Sequence, residues 1–262
     1  MSASRWWLRL PATIVVPMLT VAACGDGDVD TGGDGDGEAQ TLTVFAAASL
    51  TDAFAEIGDA FSATRPEVSV ELNFGPSSGL AMQLIEGAPA DVYASADQVN
   101  MDKAVTGEVV EQAPVVFARN VLAIAVPAGN PGGVEGLADL AREELLIGLC
   151  AEEVPCGRFA RRLLAEAGVT AAPDTNETDV RSLLTKIEAD ELDAGLVYRS
   201  DVLAAGERVE GIDIAEADRV VATYPIAPVA ASAVPALGEE FVDFVVSEEG
   251  RRILVDHGFL AP

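Results

Sequence analysis

Short apolar stretches alternate along this chain with segments whose apolar residues recur at helical spacing. In the first such pair, residues 42–45 predict a buried strand, and Leu50 and Phe54 lie on one face of a helix that follows it. Ser49 opens this helical pattern with Asp52 three positions on, which predicts a capping box. A helix that begins directly after a parallel strand has free backbone N–H groups at the sheet edge where α/β folds bind ligands.

The same alternation continues to the C-terminus. It predicts further strands at 68–74, 91–96, 115–117 with 121–126, 145–149, 194–198, 219–223 and 226–231, and further helices at 80–87, 100–105, 137–142, 158–164, 178–187, 239–246 and 249–255. This order indicates an α/β protein with mostly parallel sheets. The extended stretches 115–126 and 220–231 divide the chain into three pieces. Two lobes joined by two crossing strands would give this pattern, with the first and last pieces in one lobe.

The N-terminal residues predict export rather than a folded element. Residues 1–23 contain two arginines, an apolar run and small residues before Cys24. This resembles a lipoprotein signal peptide, with Cys24 as the lipidated residue; an ordinary secretory signal is the alternative. The apolar run is shorter than the roughly 20 residues that span a membrane. Residues 24–40 are rich in Gly and Asp and predict a disordered tether. They lack the glutamate and the flanking helices of a calcium loop.

The charge of the chain limits its partners. Lys and Arg number 16 against 43 Asp and Glu, which gives a net charge of −27. Such a charge argues against nucleic acids and anionic membranes as partners. An anionic ligand would have to be held by local dipoles, because the overall field of the protein opposes it.

Four predicted helix starts offer the same chemistry, namely backbone N–H groups near small polar residues. They are Ser49, Ser77 with Ser78, Cys156 and the pair Asp179–Val180. A helix N-terminus acts like about half a positive charge. If the four starts converge, they form a pocket of neutral donors for an oxyanion. Four ordinary helix caps are the alternative.

Several motifs occur in an order and at spacings that resemble the periplasmic molybdate-binding proteins of ABC importers. They are VFAAASLTDAF, FGPSSGLAMQL, GAPADVYASAD, VPCGRFA, DVR and GLVYRSD, and they extend from about residue 41 to the C-terminus. The resemblance implies a type II periplasmic binding protein fold, in which two α/β lobes enclose a ligand cleft. Residues 41–118 and 225–262 would form the first lobe, and residues 119–224 the second.

The resemblance also implies the function and the ligand residues. The chain would be a lipid-anchored, extracytoplasmic protein, monomeric and not an enzyme, that captures molybdate or tungstate and delivers it to an ABC permease without a cofactor. Ser49 and Ser77 would donate hydroxyl and backbone hydrogen bonds, Cys156 and Val180 their backbone N–H groups, and Tyr198 its phenol. Asp179 would cap a helix rather than touch the anion.

The cysteines add a departure from this family pattern, in which position 156 is often alanine. With Cys24 lipidated, Cys150 and Cys156 remain as a pair in an exported chain, where an oxidising compartment favours a disulfide. Two free buried thiols are the alternative.

Other functions remain as alternatives to this expectation. The ligand could be another tetrahedral oxyanion, sulfate or phosphate, or the chain could be an anchored adhesion domain with no small ligand. A hydrolase would need His257, the only histidine, beside Ser49 or Ser77, and the sequence has no nucleophile elbow. A zinc site would need more His or Cys ligands. Arg158, Arg161 and Arg162 predict a solvated helix face.

Overall fold

The computed structural model describes residues 39–262. Its ten strands are β1 Gln40–Ala47, β2 Val68–Gly75, β3 Val92–Ala94, β4 Val115–Asn120, β5 Leu122–Pro127, β6 Ile147–Cys150, β7 Thr175–Glu177, β8 Ala194–Tyr198, β9 Val209–Ile212 and β10 Ala222–Pro228. Its eight α-helices are α1 Thr51–Ala63, α2 Ser77–Ile85, α3 Gln98–Thr106, α4 Pro155–Ala167, α5 Val180–Glu188, α6 Arg199–Ala205, α7 Pro235–Val246 and α8 Glu248–Asp256. None of the helices in these residues is long and apolar enough to cross a membrane.

The strands form two five-stranded sheets, in the orders β2-β1-β3-β10-β4 and β7-β6-β8-β5-β9. In the first sheet β1 pairs in parallel with β2 and β3, and β10 is antiparallel to its neighbours. In the second sheet β6 is parallel to β7 and β8, whereas β5 is antiparallel to β8 and β9. We call the first sheet with its helices the first lobe, and the second sheet with its helices the second lobe.

The chain passes between the sheets twice. It leaves the first sheet at the end of β4 and enters the second at β5, and it returns between β9 and β10. This is the two-lobed α/β architecture expected from the sequence. The expectation of mostly parallel sheets is wrong, because each sheet has two parallel and two antiparallel strand pairings. The lobe limits at residues 118/119 and 224/225 remain a prediction.

Each sheet is buried by apolar helix faces, as the helical spacing predicts. In the first lobe Phe54 and Phe61 of α1 are fully buried and pack edge-on against Phe241 of α7. In the second lobe Leu183 and Ile187 of α5 are fully buried. The helices that follow the parallel strands are therefore attached to their sheets by buried apolar side chains.

Two predicted boundaries at the crossings are wrong. The crossing stretch was expected to break at residues 119–120, but β4 continues to Asn120 and the break falls at Val121. The Asn120 side chain accepts a hydrogen bond from the Val121 N–H at 3.0 Å and donates one to Ser200 Oγ at 2.8 Å. These side-chain bonds take the place of strand-to-strand hydrogen bonds where the chain crosses between the sheets. The return strand begins at Ala222 rather than residue 219, because Ala217–Arg219 form a 3₁₀ turn.

The start of the first helix also differs from the prediction. Ala48–Leu50 form a 3₁₀ turn, and α1 begins at Thr51 without a side-chain cap, so the capping box of Ser49 and Asp52 is wrong. The strands β7 and β9 and the helix α6 were not predicted. The signal peptide 1–23, Cys24 and the tether up to residue 38 lie outside the described residues, and Gln40, expected in the tether, already pairs with Val68 in the first sheet.

Candidate functional site

A small cavity lies between the two lobes at the carboxyl ends of their parallel strands. It is lined by Ser49 and Ser77 from the first lobe and by Cys156 and Val180 from the second. Its volume, measured for the centre of a water-sized sphere, is about 20 Å³. The structure therefore brings four of the five expected ligand residues together, and each of them is buried.

The first lobe offers two hydroxyl groups, each of which already takes part in one hydrogen bond. Ser49 Oγ lies 3.0 Å from the Tyr224 hydroxyl, and Ser77 Oγ accepts a hydrogen bond from the Ala96 N–H at 3.0 Å. A hydroxyl oxygen that accepts one hydrogen bond keeps its own proton free to donate. The Tyr93 hydroxyl fixes this region further by donating to the Ser77 carbonyl at 2.8 Å. Ser77 can therefore direct its O–H at the cavity, and Ser49 can do so when the Tyr224 hydroxyl is the donor of their shared hydrogen bond.

The second lobe offers backbone groups at two helix starts. Cys156 is the second residue of α4 and Val180 is the first residue of α5. The N–H groups of a helix's first turn have no partner within the helix. As expected, Asp179 caps α5, accepting from the Ser182 N–H at 2.9 Å. Its carboxylate is thus bound to the helix end, which leaves the Val180 N–H free for a ligand.

The start of α4 is held in a tight loop. Cys150 and Cys156 are joined by a disulfide, with Cα atoms 5.7 Å apart. Gly157 comes so close to this loop that a Cβ atom there would lie 1.8 Å from the Ala151 carbonyl oxygen. Only glycine fits such an approach. The disulfide and the glycine together fix the orientation of the Cys156 N–H.

Tyr198, the fifth expected ligand residue, is not among the residues that line the cavity. Its ring centroid is 6.0 Å from that of Tyr224, which contacts Ser49. Its hydroxyl is buried and has no hydrogen-bond partner among residues 39–262. Burial raises the pKa of both tyrosines well above the usual value, so both hydroxyls keep their protons. An unpaired buried O–H of this kind is a donor without an acceptor.

Comparison with known proteins identifies the family. The family model of the bacterial extracellular solute-binding proteins matches residues 42–260. The chain belongs to this family.

Individual relatives agree with this assignment. The chain is 39% identical over 98% of its length to the molybdate-binding protein ModA of Mycobacterium tuberculosis, of which 99% is covered. Two solved structures share the fold. The periplasmic molybdate-binding protein of Azotobacter vinelandii has a TM-score of 0.73 at 18% identity, covering 84% of this chain and 99% of that one. The sulfate-binding protein SubI of Mycobacterium tuberculosis has a TM-score of 0.75 at 17% identity, covering 84% and 86%.

Positive charge stands at the rim of this solute-binding cleft rather than inside the cavity. Arg158 of α4 forms an ion pair with Asp97, and Arg181 of α5 forms one with Asp52. The expectation of a solvated face is therefore wrong for Arg158. It is also wrong for Arg161, which donates to the Cys150 carbonyl at 2.8 Å, whereas Arg162 is largely exposed.

A hydrolase-like arrangement is contradicted by the position of His257. Its Nε2 lies 2.8 Å from Glu56 Oε2, whereas the hydroxyls of Ser49 and Ser77 are hydrogen-bonded to Tyr224 and to the Ala96 N–H. Within residues 39–262, no group of three or more His, Cys, Asp or Glu side chains is placed to hold a metal ion.

Sequence reasoning missed two residues that support the site. Tyr224 was only part of an extended stretch, and no spacing connects it with Ser49, which is 175 positions away. Asp201 is fully buried and accepts from the Tyr198 N–H at 3.0 Å. Burial raises its pKa to about 7, while the nearby Arg181 acts in the opposite direction. An acidic residue one turn after the Tyr198 strand was the available signal.

Proposed function

We propose that this solute-binding protein captures molybdate or tungstate and delivers it to the permease of an ABC importer. The observation that carries the proposal is the cavity lined by Ser49, Ser77, Cys156 and Val180, in which donors from both lobes face one another. The 39% identity to a molybdate-binding protein over nearly the whole chain supports the same ligand.

The donor chemistry suits a fully deprotonated dianion. Two hydroxyls, two backbone N–H groups and the Tyr198 phenol all donate, and no charged group is needed to neutralise the anion. A protonated anion such as hydrogen phosphate would leave its own O–H without an acceptor, which costs free energy in a buried site. A pocket of neutral donors thus favours an anion that carries no proton. Molybdate and sulfate are both such anions, so the size of the cavity must separate molybdate from the smaller sulfate.

Ligand capture requires the lobes to move. Ser49, Ser77, Cys156 and Val180 are all buried with the lobes in this arrangement, so an anion can reach their donors only when the lobes separate. We therefore infer that the two crossings between the lobes act as a hinge, with residues 41–118 and 225–262 moving against residues 119–224. An anion that contacts both lobes stabilises the closed form by those contacts.

The N-terminal sequence completes the proposal. Removal of residues 1–23 and lipidation of Cys24 would anchor a monomeric protein outside the cytoplasm, with the Gly- and Asp-rich segment as its tether. Incorporation of labelled palmitate into the wild-type chain, and its loss in Cys24→Ala, is the expected result. Equal labelling of both chains would contradict the anchor.

Calorimetric titration of the purified protein with molybdate, tungstate, sulfate and phosphate tests the ligand. We expect tight one-to-one binding of molybdate and tungstate, with no heat of binding from the other two. Binding of sulfate or phosphate in their place would keep the fold and the cleft but replace the ligand. No binding of any of the four would favour the adhesion domain instead.

A further inference from the structure

Two arginines of the second lobe reach across the cleft to acids of the first lobe. Arg158 in α4 pairs with Asp97, the residue that caps α3 by accepting from the Asn100 N–H at 2.9 Å. Arg181 in α5 pairs with Asp52 in the first turn of α1. Each ion pair therefore joins a helix start of one lobe to a helix start of the other.

The two pairs stand next to the anion donors. Arg181 directly follows Val180, and its Nε donates at 3.3 Å to the carbonyl of Ala48, the residue before Ser49. If α5 moved away from the first lobe, Val180 would separate from Ser49, and the contact between Arg181 and Ala48 would break at the same time.

The other pair has the same arrangement. Arg158 comes two residues after Cys156, and its partner Asp97 directly follows Ala96, whose N–H donates to Ser77 Oγ at 3.0 Å. Each bridge thus connects a backbone donor of the second lobe with a hydroxyl donor of the first, although neither arginine lines the anion cavity.

Both pairs are partly open to water, so they can break and re-form. The exposed fraction of the side chain is 29% for Arg158 and 26% for Arg181, against 4% for Asp97 and 45% for Asp52. Arg181 lines an open cavity of about 550 Å³, and Arg158 with Asp97 lines one of about 420 Å³. Within residues 39–262, these two cavities have separate sets of lining residues.

Arg181 also has a partner for the open state. Its Nε lies 3.7 Å from Oδ1 of Asp201, a fully buried acid of its own lobe. This oxygen has no hydrogen bond among the described residues. When the contact with Asp52 breaks, Arg181 therefore keeps an acid beside it, which lowers the cost of opening.

We propose that Arg158 and Arg181 are positioning residues that hold the lobes closed over the bound anion without touching it, and so set its rate of release. This inference rests on the proposed function. Because each arginine is neutralised by an acid, the bridges add attraction between the lobes while the cavity keeps its neutral donors. The bridges form only on closure, so their loss should change release far more than capture.

The test compares rates of molybdate binding and release in the wild-type protein, Arg181→Ala, Arg158→Ala and a control. The control is Arg252→Ala, which removes one positive charge but breaks only an ion pair within α8, to Asp256. Stopped-flow tyrosine fluorescence follows both rates, since Tyr198 and Tyr224 lie at the site. We expect koff to rise about tenfold in each bridge variant, which corresponds to about 1.4 kcal/mol, with kon within about threefold of wild type.

Salt provides a readout that a purely structural role would not give. Raising the salt concentration screens partly exposed ion pairs. We expect koff of the wild type to rise with salt, and koff of the double variant Arg158→Ala/Arg181→Ala to be nearly independent of it. The acid-side variant Asp52→Asn should reproduce the koff of Arg181→Ala, and the two changes together should add little, as expected when both remove one interaction.

The outcomes separate this inference from the proposed function. If wild-type protein binds molybdate and koff of both bridge variants equals that of Arg252→Ala, the bridges do not control release and the inference is wrong. A large fall in kon with unchanged koff would also overturn it, since the arginines would then act on the incoming anion. If the wild type binds no oxyanion, the proposed function fails first. Should Arg181→Ala not fold, Asp52→Asn carries the same comparison.

Discussion

The two lobes present different kinds of donor to the same cavity. The first lobe contributes the side-chain hydroxyls of Ser49 and Ser77, each held by a hydrogen bond to a second residue. The second lobe contributes backbone N–H groups at Cys156 and Val180, which any residue type other than proline would supply. One half of the site is thus specified by side chains and the other by the position of the main chain.

This difference determines how each half can be damaged. A hydroxyl is lost by a single substitution, whereas a backbone N–H is lost only when the helix start moves. The second lobe accordingly has devices that fix its backbone, namely the disulfide between Cys150 and Cys156, the tight approach at Gly157 and the Asp179 cap. The first lobe instead relies on Tyr224 and the Ala96 N–H to orient its hydroxyls.

The largest expected effect on molybdate affinity comes from removing the two serine hydroxyls of the first lobe. The double variant Ser49→Ala/Ser77→Ala removes two donors to an anion, each worth about 1.5–3 kcal/mol, so we expect molybdate affinity to fall by a factor on the order of 10² to 10⁴. Calorimetry measures this loss. The control is Ser69→Ala, which changes an exposed serine of β2 that contacts Thr41, and it should bind as wild type. Unchanged affinity in the double variant would remove both serines from the site.

Loss of the disulfide in the second lobe should lower the stability of the protein rather than its affinity for molybdate. Closing a loop of this length with a disulfide stabilises a protein by about 2 kcal/mol. The double variant Cys150→Ala/Cys156→Ala should therefore unfold at lower denaturant concentration and yet bind molybdate within about tenfold of wild type. A loss of affinity as large as that of the serine variant would show that the thiol side chains themselves matter.

We expect Tyr198 to be a side-chain donor from the second lobe, and its removal should have opposite effects on molybdate affinity and on stability. Tyr198→Phe deletes a buried hydroxyl without a partner among the described residues, so the free energy of unfolding should stay equal or rise. Molybdate affinity should fall by a factor on the order of 10 to 10², for one lost hydrogen bond to an anion worth about 1.5–3 kcal/mol.

Tyr93→Phe is the matched control for this prediction. Its hydroxyl donates to the Ser77 carbonyl at 2.8 Å, so its loss should lower stability. If Tyr198→Phe lowered stability as Tyr93→Phe does and left affinity unchanged, Tyr198 would be a structural residue only.

The smallest effect on binding is expected for Asp201, the acid behind Tyr198, whose removal should change how stability depends on pH. Asp201 has a pKa of about 7 in the folded protein, raised by burial from 3.8. The stability that this raised pKa contributes is present below pH 3.8 and is lost as the pH rises through about 7. Asp201→Asn should remove this term, which amounts to at most about 1.4 kcal/mol per pH unit. Denaturant unfolding between pH 4.5 and 7.5 measures it as the difference between wild type and variant. Parallel curves would show that Asp201 is ionised throughout.

Much of the fold follows from patterns in the sequence that are local. The alternation of apolar stretches and helical spacing predicted both sheets, most helices and the two crossings, because each element buries one apolar face. Elements with weak patterns were missed: β7 is three polar residues paired with the edge of β6, and β9 is a short strand at the opposite edge. Their structure depends on neighbours that are distant in the sequence.

The candidate site was predictable only in part, for a related reason. Ser49, Ser77, Cys156 and Val180 each stand at the start of a helix or turn, which a local pattern indicates, and the structure brings them together. Tyr224 contacts Ser49 of the site across the sheet, and Asp97 and Asp52 pair across the cleft with the two arginines beside it. No spacing in the sequence reports such contacts, so these residues emerge only from the folded chain.

The most direct test of the account is a crystal structure with molybdate, located by the anomalous scattering of molybdenum. The account predicts one molybdenum position between the two lobes, with its oxygens within hydrogen-bond distance of the Ser49 and Ser77 hydroxyls, the Cys156 and Val180 N–H groups and the Tyr198 phenol, and with both arginine bridges formed outside it. A molybdenum position elsewhere, or an anion held directly by Arg158 or Arg181, would contradict the neutral-donor site.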